Sequence, residues 1–467
     1  MHAFQVRSKR FPLEESAANF QRTTASESNA MRNDTIRPRQ QDGFGRMKLE
    51  RLLSKAACIT PLFMIASIEA QAIRPPAPAI GDALPGLSAD EQERFRLGKE
   101  AFTFELADEH GVGPVFNGRS CVSCHAGPAA GGGAAKFGVR FGRRSAEGFD
   151  DLQALGGPTI QALGIGKVGD VEFVGETVPA QANVVARRRA TPTFGYGLVD
   201  AVPDESFFRL AALQQANRPA TAGRVNIVVN LRTGSPAVGK FGWKAGVANL
   251  FDFAADAYKD ELGVTSGGFT DPEFPGVVLP FARSADGRSV SEENAPQGNQ
   301  ALLAANPVTS PNLPDDENVR KFADFMSLLA PPPRGPVSSA AIRGEIVFGR
   351  IGCTDCHTPT LRTGPSEVRA LNQVNFKPYS DFLLHDMASL GDGIESPGPT
   401  GPAKGSEMRT APLWGLRFQE AYLHDGRATS LEAAIIWHDG QGRIAKANYS
   451  RLPAASKRDL EAFLRSL

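Results

Sequence analysis

One five-residue pattern occurs twice in this chain, as Cys121-Val-Ser-Cys124-His125 and as Cys353-Thr-Asp-Cys356-His357. The sequence holds only 5 Cys and 7 His, so two copies of C-x-x-C-H are not accidental. The spacing has a chemical reason. Two thiols three residues apart reach the two vinyl groups of one porphyrin and form thioethers, and the histidine that follows sits beneath the iron as proximal ligand. Two such segments imply two covalently bound c-type haems, one on Cys121, Cys124 and His125 and one on Cys353, Cys356 and His357. Two other chemistries use paired cysteines. A redox dithiol needs no adjacent histidine, and no thioredoxin-like βαβ pattern surrounds either pair. A structural zinc could take both pairs, but they lie 232 residues apart, in separate repeats.

Covalent cofactor attachment suits an exported protein, and the N-terminal third agrees. Met47 to Ala72 reads as an export signal: Lys48, Arg51 and Lys55 form a basic start, residues 56–68 are mostly apolar, and Ala70-Gln71-Ala72 supplies small residues for cleavage. The apolar run is shorter than the roughly 20 residues a bilayer span needs; a buried helix is the competing reading. Residues 1–46 are polar and arginine-rich, an extension that is disordered or precedes the true start at Met47. Cys58 lies inside the apolar run and is discarded with it, leaving four cysteines in two pairs, which is no disulfide scaffold. The expected location is the periplasm, with no membrane span after signal removal. Lys plus Arg and Asp plus Glu are each 51, which argues against a nucleic-acid partner. With 48 Gly and 34 Pro, a loop-rich fold is expected.

The chain repeats itself faintly around the two motifs. Gly98-Lys-Glu-Ala-Phe102 precedes the first and Gly344-Glu-Ile-Val-Phe348 the second. Thr191-Pro-Thr-Phe-Gly195 follows the first and Thr410-Ala-Pro-Leu-Trp-Gly415 the second. Phe241-Gly-Trp-Lys-Ala245 is then matched by Tyr422-Leu-His-Asp-Gly-Arg427, and helical stretches begin after Asn249 and after Ser430. Each repeat closes on an amphipathic helix, with Val319, Phe322, Met326 and Leu329 on one face of the first and Leu460, Phe463, Leu464 and Leu467 on one face of the second. Ser88-x-x-Glu91 and Ser456-x-x-Asp459 are expected capping boxes. The opening helix carries Phe95, Leu97, Phe102 and Phe104. Between Gly195 and Phe241 the first repeat has an insertion, within which residues 224–231 predict a strand. The expected organisation is 73–330 as a first cytochrome c-like domain with a small β insertion, 331–336 (Pro-Pro-Pro-Arg-Gly-Pro) as linker, and 337–467 as a second cytochrome c-like domain. The fold class is mainly α, two tandem cytochrome c-like domains with long loops.

The order C-x-x-C-H, Thr-Pro-x-Phe, C-x-x-C-H, Arg409-Thr-Ala-Pro-Leu-Trp-Gly-Leu416, His424-Asp-Gly-Arg427 resembles the bacterial di-haem cytochrome c peroxidase superfamily. The segments FNGRSCVSCHAGP, LLHDM and APLWGLRFQEAYLHDGR look most like its di-haem oxidoreductase group, whose members are labelled peroxidases or thiol oxidoreductases. The resemblance covers residues 88–467. It implies a reactive haem in the first repeat and an electron-entry haem in the second. It also implies that the residue fourteen positions after His424, which is His438, is the second axial ligand of the second haem; His385 and Met387 compete for that role. Glu261, in Asp260-Glu-Leu-Gly-Val-Thr265, resembles the family's proton-shuttling glutamate at the reactive haem. Trp243 matches a tryptophan between the haems, an electron relay. Some relatives hold calcium between the domains, so a calcium ion is left open here. One departure stands out. The peroxidases carry a histidine after the first motif that caps the reactive iron, and this sequence has none between His125 and Glu261. The first haem is therefore expected to be open or differently capped.

Three functions fit these residues. The first is a peroxidase-like oxidoreductase that takes electrons from a small c-type cytochrome or another periplasmic donor and passes them to hydrogen peroxide or dioxygen. The second is an oxygenase or oxidase of a small organic substrate. The third is a di-haem electron carrier without catalysis.

Overall fold

The computed structural model describes residues 77–106, 112–113, 115–168, 171–264, 282–283, 289–290, 317–396, 398–399 and 401–467, all within the unit Ile73–Leu467. The extension 1–46, the export segment 47–72 with Cys58, and Thr265 lie outside the described residues. Nine helices are described: α1 Ala89–Thr103, α2 Tyr196–Asp200, α3 Asp204–Asn217, α4 Leu250–Leu262, α5 Glu317–Leu328, α6 Ser339–Arg350, α7 Leu431–Trp437, α8 Arg443–Ser450 and α9 Ala454–Leu464.

Two helix pairs carry the two halves, and each is built around the same pair of residues. In α1, Gly98 lies so close to α5 that a Cβ would stand 2.4 Å from the Lys321 carbonyl oxygen. In α6, Gly344 meets α9 in the same way, 2.0 Å from the Asp459 carbonyl oxygen. Only glycine permits such a crossing. Four residues on, Phe102 stacks on Phe325 of α5 at 4.7 Å, and Phe348 stacks on Phe463 of α9 at 5.2 Å. Each of these phenylalanines also approaches a motif histidine, Phe102 to His125 at 6.0 Å and Phe348 to His357 at 6.1 Å. Burying each such ring is worth about 1.5–3 kcal/mol, so one residue both fastens a helix pair and forms the floor of a candidate cofactor site.

The helix ends follow the sequence in part. Ser88 caps α1 through the expected capping box with Glu91. Asn249 and Ser430 cap α4 and α7 by accepting the N–H three residues on. The expected Ser456–Asp459 box is not formed: α9 begins at Ala454 with Pro453 before it, because proline pre-sets the first turn, and Asp459 instead pairs with Arg343 at 2.7 Å. In α1, Phe102 is buried while Leu97 is exposed; Phe95 and Phe102 lie seven residues apart on one face and Leu97 on the opposite one, whereas Phe104, expected in this helix, lies just past its end in extended backbone and is exposed.

Strand is more abundant in the first half than expected, and it lies elsewhere. Described strands are β1 Val115–Phe116, β2 Phe137–Ser145, β3 Gly148–Asp150, β4 Leu163–Gly164, β5 Val184–Arg189, β6 Ile227–Val229, β7 Pro236–Val238, β8 Leu384–Asp386 and β9 Glu407–Arg409, with further short two-stranded ladders. A three-stranded antiparallel sheet of order β3-β2-β5 occupies the stretch between the first motif and Thr191, with Phe137 opposite Arg189 and Gly142 opposite Val184. The strand expected over 224–231 is shorter, β6, and pairs with β7.

The larger core gathers α1, α2, α4 and α5 with Leu371, Phe376, Phe382 and Leu383 from beyond the second motif. The smaller core is built from α6, α7 and α9 with Tyr379. Residues 331–338 have no regular structure and are held to the C-terminus by Gly335 N donating to Ser466 O at 2.8 Å.

Candidate cofactor sites

Both motifs fold as the same tight turn. Cys121–Ser123 and Cys353–Asp355 are single 3₁₀ turns. His125 N donates to Cys121 O at 3.0 Å, and His357 N donates to Cys353 O at 2.9 Å. A turn of this tightness places two sulfurs and the following imidazole along one wall. Burial pushes the Cys121 and Cys353 thiols up to about 12 and Cys124 up to about 11, so these are neutral, apolar-facing thiols rather than reactive thiolates.

The imidazoles are oriented for a metal. His125 Nδ1 lies 3.0 Å from Gly132 O and His357 Nδ1 lies 2.9 Å from Tyr379 O. A carbonyl only accepts, so the proton is assigned to Nδ1 and the Nε2 lone pair is left for a ligand. Burial lowers both pKa values, that of His357 to about 4 with help from His438.

His438 ends α7 and carries the same signature, with Nδ1 2.8 Å from Ala434 O and a pKa lowered by burial. Its ring centroid stands 6.5 Å from that of His357. Two metal–nitrogen bonds of about 2 Å and two ring radii of about 1.2 Å add to roughly 6.4 Å. His385 is differently employed. It is 1% exposed, with Nε2 2.9 Å from Asp381 Oδ2 and Nδ1 3.3 Å from Cys356 Sγ, so both nitrogens are engaged. Burial opposes charging it, but Asp381 and Cys356 outweigh that and its pKa stands well above the ordinary value. Met387 packs with Leu390, Met408 and Trp243.

Each motif opens onto its own cavity. The first, about 470 Å³, is lined by Cys121, Cys124, His125, Glu261 and Arg188 among others. The second, about 530 Å³, is lined by Cys353, Cys356, His357 and His438 among others. The two cysteine pairs therefore face different spaces, which removes the basis for a shared zinc. Among the described residues no group of three or more His, Cys, Asp or Glu could hold a metal ion.

Glu261, near the end of α4, is half-buried in the first cavity wall. Its Oε2 accepts from Asn117 Nδ2 at 2.9 Å. Burial raises its pKa; Arg140 and the Asn117 bond oppose that only in part. Asn117 is itself fixed, donating to Ile160 O at 2.8 Å and accepting from Ala162 N at 3.0 Å, while Lys136 Nζ donates to its carbonyl. Trp243 lines both cavities, as do Arg189, Ala190 and Thr191. Its indole donates to Arg189 O at 2.8 Å, and its ring meets His424 edge-on at 6.1 Å. His125 is the sole histidine among the described residues of the first cavity wall.

The residues present fit a haem at each site. Both cavities fall within the roughly 300–1,000 Å³ of small-molecule sites. The first also offers an orphan donor. Arg188 gives an aligned hydrogen bond from Nε to Asp392 Oδ2 at 2.7 Å. Its buried Nη2, though 2.7 Å from the same oxygen, has no aligned acceptor, as suits the carboxylate of a porphyrin propionate. Asn117 and Arg188 escaped sequence reasoning. Asn117 does stand in the FNGRSCVSCHAGP segment, four residues before Cys121, whereas nothing marks Arg188 among the three successive arginines 187–189.

Comparison with known proteins agrees with this chemistry. Residues 176–467 match the family described as "Di-haem oxidoreductase, putative peroxidase", a segment holding Trp243, Glu261, the second motif and His438. The methylamine utilization protein MauG of Methylorubrum extorquens AM1 is 30% identical over 138 residues, which is 28% of this chain and 35% of MauG, so the match spans about a third of that relative. Among solved structures, the diheme peroxidase BthA of Burkholderia thailandensis E264 gives a TM-score of 0.38 at 14% identity, covering 80% of this chain and 86% of its own. A MauG-like protein associated with microbial copper homeostasis gives 0.34 at 15% identity, covering 85% and 95%. TM-scores this low do not establish a shared fold. The family match extends over more than half of the residues, and the chain belongs to the di-haem oxidoreductase family, redox proteins that carry two haems.

Proposed function

We propose that this chain is an exported peroxidase-type oxidoreductase in which electrons enter at the second cavity and are consumed at the first. The observation that carries this is the inequality of the two sites. The second offers two inward imidazoles 6.5 Å apart. The first offers one imidazole and a half-buried carboxyl group, Glu261, whose proton is held at higher pH than usual.

When bound, the haems supply one-electron redox chemistry tuned by their axial ligands. Cys121 and Cys124, and Cys353 and Cys356, would hold them covalently, and His125 and His357 would serve as their proximal ligands. His438 would supply a second imidazole there, leaving that site no position for substrate, so that it would receive and pass electrons at a lower potential than a thioether ligand would give. Arg188 holds a propionate at the first site. Trp243, in the wall common to both cavities, is the relay. Reduction of hydrogen peroxide to two waters takes two electrons and two protons. Glu261 delivers a proton to a peroxide oxygen and is reprotonated from solvent, which a carboxyl with a raised pKa does at higher pH than an ordinary one. Asn117 keeps that carboxyl aimed. The electron donor is a small c-type cytochrome or a comparable periplasmic protein, and dioxygen or an organic molecule is the alternative substrate at the same open site. Among the described residues no helix is long and apolar enough to cross a membrane.

The electron-paramagnetic spectrum of the oxidised, haem-loaded protein tests this. One high-spin and one low-spin signal are expected, with the high-spin one lost on adding cyanide. Two low-spin signals that ignore cyanide would make the protein a di-haem electron carrier instead.

A further inference from the structure

Lys244 is 2% exposed, and its charge is met by an unusual set of partners. Nζ lies 3.0 Å from Asp392 Oδ1. It also donates to three main-chain carbonyls, Lys404 O at 3.0 Å, Gly405 O at 3.2 Å and Glu407 O at 2.6 Å. Four oxygens surround one cation, three of them carbonyls, the type of donor a hard metal ion takes but fewer than the roughly six to eight it gathers. Here the cation is tethered to the chain. All four oxygens come from residues 392–407, beyond the second motif, and the ammonium comes from the residue after Trp243.

The neighbouring bonds run across the same junction. Arg409 N donates to Trp243 O at 2.8 Å, and Arg409 Nε donates to Gly242 O at 2.6 Å. The turn 242–244 is thus gripped from the 392–409 side, while its indole is tied to Arg189 O. Asp392 also takes Arg188 Nε, so one buried carboxylate answers two cations and cannot neutralise both; the three carbonyl dipoles make up the deficit at Lys244. Without the ammonium, three carbonyl oxygens and a carboxylate would face one another in a dry space, where unpaired polar groups are costly.

We propose that Lys244 is a positioning residue whose ammonium acts as a tethered cation: it gathers Asp392 and the carbonyls of Lys404, Gly405 and Glu407 around itself and so holds Trp243 in the wall shared by the two cavities. The clamp stands on its own geometry; its effect on electron transfer rests on the reading of Trp243 as relay.

The test uses the haem-loaded chain with Lys244→Ala, unfolded thermally in ammonium chloride and in tetramethylammonium chloride at equal concentration, beside the parent. The melting temperature is expected to fall by roughly 5–10 °C in tetramethylammonium, which is too large for the cage. Ammonium, which fits it, should restore at least half of that loss and leave the parent unmoved. Electron equilibration between the haems after flash reduction should slow at least tenfold and recover with ammonium. A melting temperature within about 2 °C of the parent, or a loss that both salts treat alike, overturns the clamp. Should Lys244→Ala yield no folded protein, Asp392→Asn decides: it keeps the three carbonyls and should melt several degrees lower, and parent-like melting overturns the proposal. Trp243→Phe separates the two layers. If it transfers electrons at the parental rate while Lys244→Ala still shows ammonium rescue of stability, the relay reading fails and the clamp survives.

Discussion

Asn117→Ala probes the acid of the first cavity without touching it. Glu261 Oε2 receives a single described side-chain hydrogen bond, from Asn117 Nδ2 at 2.9 Å. A hydrogen bond to a charged group contributes about 1.5–3 kcal/mol, and one pKa unit corresponds to about 1.4 kcal/mol. This donor favours the ionised carboxylate, so losing it should raise the Glu261 pKa further, by about 1–2 units. The pKa is already lifted by burial, so the change adds in the same direction. The assay is the pH dependence of peroxide-driven oxidation of a reduced c-type cytochrome. The limb assigned to Glu261 should move about 1–2 units toward alkaline pH, with both haem spectra unchanged. The same substitution strips Ile160 O and Ala162 N of their partner, so stability should drop by about 1–3 kcal/mol. An unmoved limb in a variant with intact haem spectra would refute the assignment of Glu261 as the proton donor.

Other residues give separate tests. His438→Ala should convert the low-spin haem to high-spin, since one of two imidazoles 6.5 Å apart is gone; a persistent low-spin signal would assign that position to another ligand, with Met387 the first to examine. Glu261→Gln should change stability in a pH-dependent way. The native carboxyl holds its proton more tightly than the unfolded one, so wild-type stability falls as pH rises from the unfolded to the raised folded pKa. The variant lacks that slope, and parallel melting curves from pH 4 to 8 would contradict the burial argument. Gly344→Ala should destabilise by about 1–3 kcal/mol or more, because its Cβ would stand 2.0 Å from Asp459 O; denaturant unfolding checks this, and a neutral result would refute the close crossing of α6 and α9.

Much of the site was legible because covalent haem chemistry leaves little freedom of spacing. The two motif turns, the paired glycines 98 and 344 and the phenylalanines four residues later stand in register around both sites, since a helix crossing that tight admits one small residue and one ring at fixed offsets. Local turns also kept their spacing: Phe241 bridges Val247 and Tyr422 bridges Ala428, the same interval in both halves. What stayed hidden depends on contacts between distant segments. Arg188, Asn117 and Lys244 look like ordinary polar residues until β5, the turn after β1, Asp392 and residues 404–407 bring them to buried partners. The sheet β3-β2-β5 was not expected although Phe137, Val139 and Phe141 alternate with Gly and Arg along the nine-residue β2; Gly138 and Gly142 dilute that signal, since glycine is a poor strand former. The last helix was misplaced by three residues, its N-cap being Pro453 and not Ser456.

The central claim is that each cavity is built to hold one haem through two thioethers. Mass spectrometry of proteolytic peptides from the purified, haem-loaded protein tests it most directly. The account predicts one haem on the peptide containing Cys121 and Cys124, and one on the peptide containing Cys353 and Cys356. Both peptides recovered with unmodified thiols, from a preparation without a haem absorption band, would contradict it.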